Sequence, residues 1–256
     1  VSAPDWLFAQ PIAHRGLHDR EAGLVENSLS AADAAVAGGY AVECDVQLSA
    51  DGEAVVFHDD TLERLTGAAG PVGGQDAAAL GTLRLTGSED TIPTLAALLD
   101  RIRGRVPVVV EIKSRFDGDE RLARRTAEIL SGAAAPVAAK SFDPAIVSLL
   151  RRIAPTLRRG IVAQAQYEGG EWDRLDASLR RTMAGLRHWN DTRPDFISYR
   201  HRDLPRQSQA TLMPRILDGV PLMTWTIRSQ AEADSASPFC DQIVFEGFRP
   251  GSSAAR

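Results

Sequence analysis

Lysine is almost missing from this chain. Of the 29 basic residues in 256, only Lys113 and Lys140 are lysine; the other 27 are arginine. Codon bias accounts for the arginines but not for where the two lysines stand. Each follows a short run of strand character, residues 108–112 and 137–139. A compact ammonium gives a phosphate oxygen a point charge that a planar guanidinium does not. Cysteine is scarce too. Cys44 and Cys240 are too few for a disulfide framework and read as buried free thiols. No apolar run reaches the roughly 18 residues a membrane-spanning helix needs, so stable membrane insertion is not expected. Residues 1–10 hold no basic stretch leading into a long apolar core; no secretory leader is visible, and a cytoplasmic location is the expectation. Aromatic residues make up 6% and the formal net charge is -5. With no basic stripe carrying interleaved aromatics, a nucleic-acid partner is not expected.

What is present is a pattern of alternation. At 44% hydrophobic residues the chain can bury a large core, and roughly 250 residues is an ordinary length for one α/β barrel. Strand-like runs fall at 10–13, 41–48, 106–112, 137–140, 157–164, 195–198, 220–226 and 242–245. Helical stretches lie between them: 29–37 capped by Asn27 or Ser28, 94–103 capped by Thr94, 119–130, 144–153 opened by Pro144, 172–186, 207–217 and 230–235. Several strands are continuous apolar runs, as expected where both faces are buried. A (β/α)8 TIM barrel forming one domain over 1–256 is the economical architecture. The competitor, a doubly wound open sheet, usually carries a Gly-rich turn after its first strand; here that turn is His14-Arg15-Gly16. Residues 59–91 break the alternation. They are rich in Gly, Ala and Thr and read as an insertion after the second strand, with one short helix near 76–80. Its few large apolar residues argue against membrane docking.

The densest chemistry lies between Glu43 and Asp60. The stretch reads as strand, Asp51-Gly52 turn and second short strand. By strand alternation Glu43 and Asp45 share a face and Cys44 takes the other. Paired carboxylates repel and are costly to bury without a cation, which leaves a metal ion or ion pairs with basic side chains as the two readings. His58 ends the hairpin. Barrel sites form at the C-terminal ends of strands, where this reading also places His14 and Arg15, Glu111 and Lys113, Lys140, Trp225 and Glu246. Three carboxylates, Glu43, Asp45 and Glu111, suit one hard divalent cation, Mg²⁺ or Ca²⁺. The two histidines suit a general acid and a general base, and Arg15 with the lysines suits an anionic group such as phosphate. Trp225 reads as a pocket wall or as core, Lys140 as a phosphate contact or a structural ion pair, and Glu246 as pocket rim.

Taken together, His14-Arg15-Gly16, Glu26-Asn27-Ser28, the run from Glu43 to Ser49, Asp51-Gly52, His58-Asp59, the run from Leu62 to Gly67, Glu111-Ile112-Lys113, Ser141-Phe142 and Trp225-Thr226 closely resemble the glycerophosphodiester phosphodiesterases. The resemblance implies a TIM barrel with a small insertion after the second strand. It implies a divalent metal on Glu43, Asp45 and Glu111, His14 and His58 as the acid–base pair, and Arg15 and Lys113 on the phosphate of a glycerophosphodiester. The course it implies passes through a cyclic phosphate to glycerol phosphate and an alcohol. Lys140, where the family often carries a glutamine-like residue, and Glu246, where it often carries aspartate or asparagine, are departures near the pocket. Related barrel enzymes acting on lipids, of the lysophospholipase D or sphingomyelinase D kind, are the alternative, followed by a phosphate-binding module without turnover.

Overall fold

The computed structural model describes residues 5–204, 212 and 219–251. Nine strands make one sheet: β1 (Ile12–Ala13), β2 (Ala41–Leu48), β3 (Ala54–Val56), β4 (Val108–Ile112), β5 (Val137–Ser141), β6 (Arg158–Ala163), β7 (Phe196–Arg200), β8 (Leu222–Ile227) and β9 (Gln242–Phe245). β1 pairs in parallel with both β2 and β9, which closes the ring. All the ring's pairings are parallel, while β3 pairs antiparallel to β2 and hangs outside it. The fold is therefore the closed eight-strand barrel, and the open doubly wound sheet is excluded.

Side-chain alternation divides the strands into two surfaces. Val42, Cys44 and Val46 of β2 and Val108, Val110 and Ile112 of β4 pack outward on Ala32 and Ala35 of α1 (Leu29–Ala37) and Leu95, Leu98 and Ile102 of α4 (Leu95–Ile102). The intervening residues fill the barrel. Its floor is Ile12, Ala41, Val109, Ala138, Phe196, Met223 and Val244, closed from below by Leu7. Gln242 ties that plug in place, with its Nε2 donating to the carbonyls of Gln10 at 2.8 Å and Leu7 at 3.3 Å. Gly160 is fixed by packing here: a Cβ would lie 2.2 Å from the Phe196 ring.

The outer layer continues with α5 (Arg121–Ser131), α6 (Pro144–Ile153), α7 (Ala177–Ala184), α8 (Trp189–Thr192) and α9 (Gln230–Ala236). Caps fall where small polar residues stand before apolar runs. Ser28 Oγ accepts from the Ala31 amide at 3.1 Å, and Thr94 Oγ1 from that of Ala97 at 3.1 Å. The helix expected over 172–186 is divided. A 3-10 turn, Gly170–Arg174, is followed by extended Leu175, and the Asp176 carboxylate takes the amides of Ser178 and Leu179 to start α7 afresh. The helix expected over 207–217 lies outside the described residues, Leu212 excepted.

The segment 59–91 is ordered by a core of its own. It holds the short helices α2 (Glu63–Thr66) and α3 (Ala77–Leu80) and a 3-10 turn, Val72–Gly74. Leu62, Leu65, Val72, Leu80 and Leu85 are buried against Val25, Val55, Phe57 and Ile92. Each such leucine contributes roughly 1.5–3 kcal/mol by leaving water, so five scattered apolar residues suffice to seat the segment beside β3. None of them is left as an exposed rim.

Candidate active site

The first strand ends in a turn that only one residue type permits. Arg15 has φ 58° and Gly16 φ 79°, and a Cβ on Gly16 would lie 2.8 Å from the Ala31 carbonyl carbon. The turn points the Arg15 amide at Glu43 Oε2, 3.1 Å away. It also folds the chain so that the Asn27 amide donates to the Arg15 carbonyl at 2.9 Å. Asn27 then grips Asp45 from two sides: its Nδ2 donates to Asp45 Oδ2 at 3.0 Å, and its Oδ1 accepts from the Asp45 amide at 3.1 Å.

Glu43, Asp45 and Glu111 point into the barrel above the apolar floor. All three are buried, and they offer oxygens within 4.8 Å of one another. The pairing register places Asp45 directly beside Glu111 and Glu111 beside Lys140. Lys113 Nζ lies 2.8 Å from Asp45 and 2.7 Å from Glu111. Lys140 Nζ lies 2.9 Å from Glu43 and 3.3 Å from Glu111, and Arg15 Nε lies 3.2 Å from Asp45. Three buried acids thus face three bases. Burial would drive the Asp45 carboxyl upward, but the charges of Lys113 and Arg15 outweigh it and hold the group well below the usual range. The same contest, decided by Lys113 and Lys140, holds Glu111 down to about 2. Burial opposes the charge on both ammonium groups, yet the surrounding carboxylates push both lysines upward.

The two histidines stand at the edge of this cluster. His14 Nδ1 is 2.5 Å from Glu246 Oε2, and Arg228 Nη2 lies 2.7 Å from the other oxygen, Oε1. His58 Nδ1 is 2.8 Å from Asp59 Oδ1, and Arg64 bonds both Asp59 oxygens. Arg64 also pairs with both oxygens of Glu26, whose Oε1 accepts from Arg15 at 2.6 Å. Burial opposes ionisation of Glu26, but hydrogen bonds from Arg64 and Arg15 lower its carboxyl to about 2. A pocket of about 300 Å³ opens between the histidines; Arg15, Asp45, Glu111, Lys113, Lys140 and Trp225 also line it. Part of its wall is aromatic. Phe142 packs edge-on to Trp225 at 5.6 Å and tilted on Trp172 at 5.1 Å, with Phe116 6.2 Å beyond Trp172.

Every residue singled out in the sequence lies in this one cluster. Glu246 reaches it through His14, and Glu43 through Arg15 and Lys140. Of the two readings of Lys140, its 3% exposure and its pairing with Glu43 and Glu111 suit the structural ion pair better than contact with a substrate. The sequence reading gave no site role to Asp59, Glu26 or Arg64, nor to Phe116 and Trp172, and offered Asn27 only as a helix cap. Asn27 carried a signal in the polar run Glu26-Asn27-Ser28, and Trp172 as one of four tryptophans in an aromatic-poor chain.

The profile described as the glycerophosphoryl diester phosphodiesterase family matches residues 14–238. The chain belongs to that family. It is accordingly a hydrolase of the phosphodiesterase class. YhdW of Bacillus subtilis (strain 168), provisionally named a glycerophosphodiester phosphodiesterase, is 25% identical over 234 residues, 87% of each chain. Among solved structures, an Oleispira antarctica phosphodiesterase in complex with the product sn-glycerol-3-phosphate superposes with TM-score 0.75 at 23% identity, covering 94% of this chain and 93% of that one. A Thermotoga maritima glycerophosphodiester phosphodiesterase does so with TM-score 0.70 at 22% identity, covering 93% and 94%. At such identity these two likenesses speak for the fold. Within it, the buried acidic trio could hold a metal ion, and no helix among the described residues is long and apolar enough to cross a membrane.

Proposed function

We propose that the protein hydrolyses glycerophosphodiesters to glycerol 3-phosphate and an alcohol, with His14 and His58 as the acid–base pair. The observation that carries the reading is the convergence of two histidines, each with Nδ1 on a carboxylate, on one pocket floored by an acid–base cluster. Glu43, Asp45 and Glu111 fit a hard divalent cation by donor chemistry: all are oxygen ligands, close together and buried. When bound, Mg²⁺ or Ca²⁺ there would draw charge from a phosphoryl oxygen. The rest falls to the chain. Arg15 and Lys113 face the pocket and set the phosphate against it. The glycerol hydroxyl next to the ester attacks phosphorus as one histidine takes its proton. The P–O bond to the alcohol breaks as the other histidine supplies a proton to that oxygen. Water then opens the cyclic phosphate in a second displacement, and both histidines return to their starting states. The Phe142–Trp225 corner gives the organic part of the substrate an apolar wall. Lipid substrates are disfavoured because the large hydrophobics exposed among the described residues, Ile153 at the end of α6 and Phe239 in the turn after α9, do not line this pocket.

The test is release of glycerol 3-phosphate from several glycerophosphodiesters, with Mg²⁺, Ca²⁺ or a chelator. Activity is expected with metal and lost with chelator. His14→Ala or His58→Ala should lower kcat roughly 100- to 10,000-fold. Undiminished turnover in either variant, or equal turnover of diesters that lack a neighbouring hydroxyl, would refute the mechanism.

A further inference from the structure

Barrel closure brings together two residues 232 positions apart. β1 and β9 pair with Ile12 beside Val244 and Ala13 beside Phe245. The His14 amide continues the ladder by donating to the Phe245 carbonyl at 2.9 Å. Ile12 and Val244 both point into the floor. Two residues further along, alternation turns His14 and Glu246 to the same interior face, one beside the other. Glu246 Oε2 therefore meets His14 Nδ1 at 2.5 Å. His18 Nε2 is more distant, at 3.8 Å from that oxygen.

An ionised carboxylate can only accept a hydrogen bond, so this contact requires the hydrogen to sit on Nδ1. A neutral imidazole has one N–H, and Nε2 is then left with a bare lone pair. Glu246 stays ionised because its other oxygen is held by Arg228 at 2.7 Å; burial opposes this, but the contacts with His14 and His18 drive the carboxyl well below the usual range.

We propose that Glu246 is a positioning residue for His14: it fixes the imidazole in the Nδ1–H tautomer, holds the ring plane, and leaves Nε2 as the nitrogen that exchanges a proton with the substrate. Arg228 is the anchor of Glu246. The arrangement repeats around the other histidine, where Asp59 takes His58 Nδ1 and Arg64 holds Asp59. The site thus contains two His–carboxylate–Arg relays of the same order, one local in sequence and one made only by closing the barrel.

Two measurements test this, and only the second rests on the proposed function. In ¹⁵N-histidine-labelled protein, long-range ¹⁵N–¹H spectra should show His14 as the Nδ1–H tautomer. In Glu246→Met, which keeps the length and removes the acceptor, the Nε2–H form should predominate. Hydrolysis of a glycerophosphodiester by the same variant should show kcat lowered roughly ten- to a hundred-fold, a part of the full acid–base contribution, with KM within about twofold. Glu246→Asp should keep the tautomer and recover part of kcat. If the methionine variant gives no cooperative melt, Glu246→Gln, which keeps the volume without the charge, should show the same loss of kcat. An Nε2–H tautomer in the unaltered protein overturns the proposal. So does kcat within twofold in the methionine or glutamine variant, or a loss confined to KM. If the unaltered protein hydrolyses no glycerophosphodiester, the proposed function fails while the spectra still decide the role of Glu246.

Discussion

Removing the Lys140 ammonium tests whether the acid cluster is held together by the chain's own cations. Lys140 Nζ lies 2.9 Å from Glu43 and 3.3 Å from Glu111, with the three side chains at most 8% exposed. At an effective dielectric near 20, each contact is worth about 5 kcal/mol before desolvation is counted. Lys140→Met keeps most of the volume and leaves two buried carboxylates short of a partner. Breaking such a pair typically costs about 3–5 kcal/mol. For a chain of this size each kcal/mol moves the midpoint by about 2–4 °C, so Tm should fall by roughly 6–20 °C in chelator. A divalent cation should repair part of the loss, because it restores positive charge where the ammonium stood. At a hundred times its dissociation constant the ion contributes about 2.7 kcal/mol, and the variant should gain more from it than the unaltered protein does. Circular-dichroism melts of both proteins, in chelator and in Mg²⁺ or Ca²⁺, provide the four numbers required. A variant melting within about 2 °C of the parent in chelator would refute the buried ion-pair account. An equal rise in both proteins on adding metal would refute the claim that lysine and metal satisfy the same carboxylates.

Lys140→Arg is expected to be no rescue. The planar fork is larger than the ammonium, and forcing it into a site 3% exposed should cost about 1–3 kcal/mol, read as a lower midpoint in the same melts. Gly160→Ala should cost a similar amount, about 1–3 kcal/mol, because its Cβ meets the Phe196 ring at 2.2 Å; a second change, Phe196→Leu, should recover part of it, and an unchanged urea midpoint for the single variant would contradict the packing. Glu26 titrates near 2 when folded against 4.5 ordinarily. A lowered carboxyl contributes stability that is present above the unfolded pKa and is lost as pH falls toward the folded one. The unaltered protein should therefore lose up to about 3 kcal/mol from this group between pH 5 and pH 2. Glu26→Gln should flatten that acid limb in urea titrations, and identical pH slopes would count against the Arg15–Glu26–Arg64 network.

Strand alternation was the legible part of the fold. A period of two sent Glu43 and Asp45 inward and Cys44 outward, where it packs with the helices, and the pattern of apolar runs led to the barrel. Local chemistry was legible for the same reason: the caps at Ser28 and Thr94 depend on neighbours three residues away. The break at Asp176 was hidden because the residues on both sides are helix formers, and only the capping bonds to Ser178 and Leu179 divide them. The core of the insertion was hidden because its leucines come in pairs, Leu62 with Leu65 and Leu80 with Leu83, too brief to establish a helical or strand period. They meet through turns, as where Thr61 bridges to Pro71 and Arg84 to Thr91. In the site, the Asp59 contact lay in the sequence as a His-Asp pair. The Glu246 contact did not, since it exists only once β9 lies beside β1.

The positions of the two lysines acquire a physical reason in the structure. Both lysines of the chain place Nζ within 3.3 Å of two acids of the trio. Lys113 bridges Glu111 of β4, which it follows, and Asp45 of the neighbouring β2; Lys140 of β5 bridges Glu111 of the neighbouring β4 and Glu43 of β2 beyond it, on a surface shared with the apolar floor. A guanidinium presents its donors in a rigid plane and suits carboxylates set around that plane, as Arg64 meets Asp59 and Glu26. An ammonium directs three donors from a single atom and so can satisfy two acids that do not lie in one plane. Arginine serves nearer the rim, where its larger fork spans carboxylates lying further apart: Arg64 joins Asp59 to Glu26, and Arg228 holds Glu246. Lysine remains where two buried acids must share one small cation, which is also the demand that a divalent metal would meet. The lysines compensate the same three carboxylates that could hold an ion, so a metal bound there would loosen the hold of the lysines.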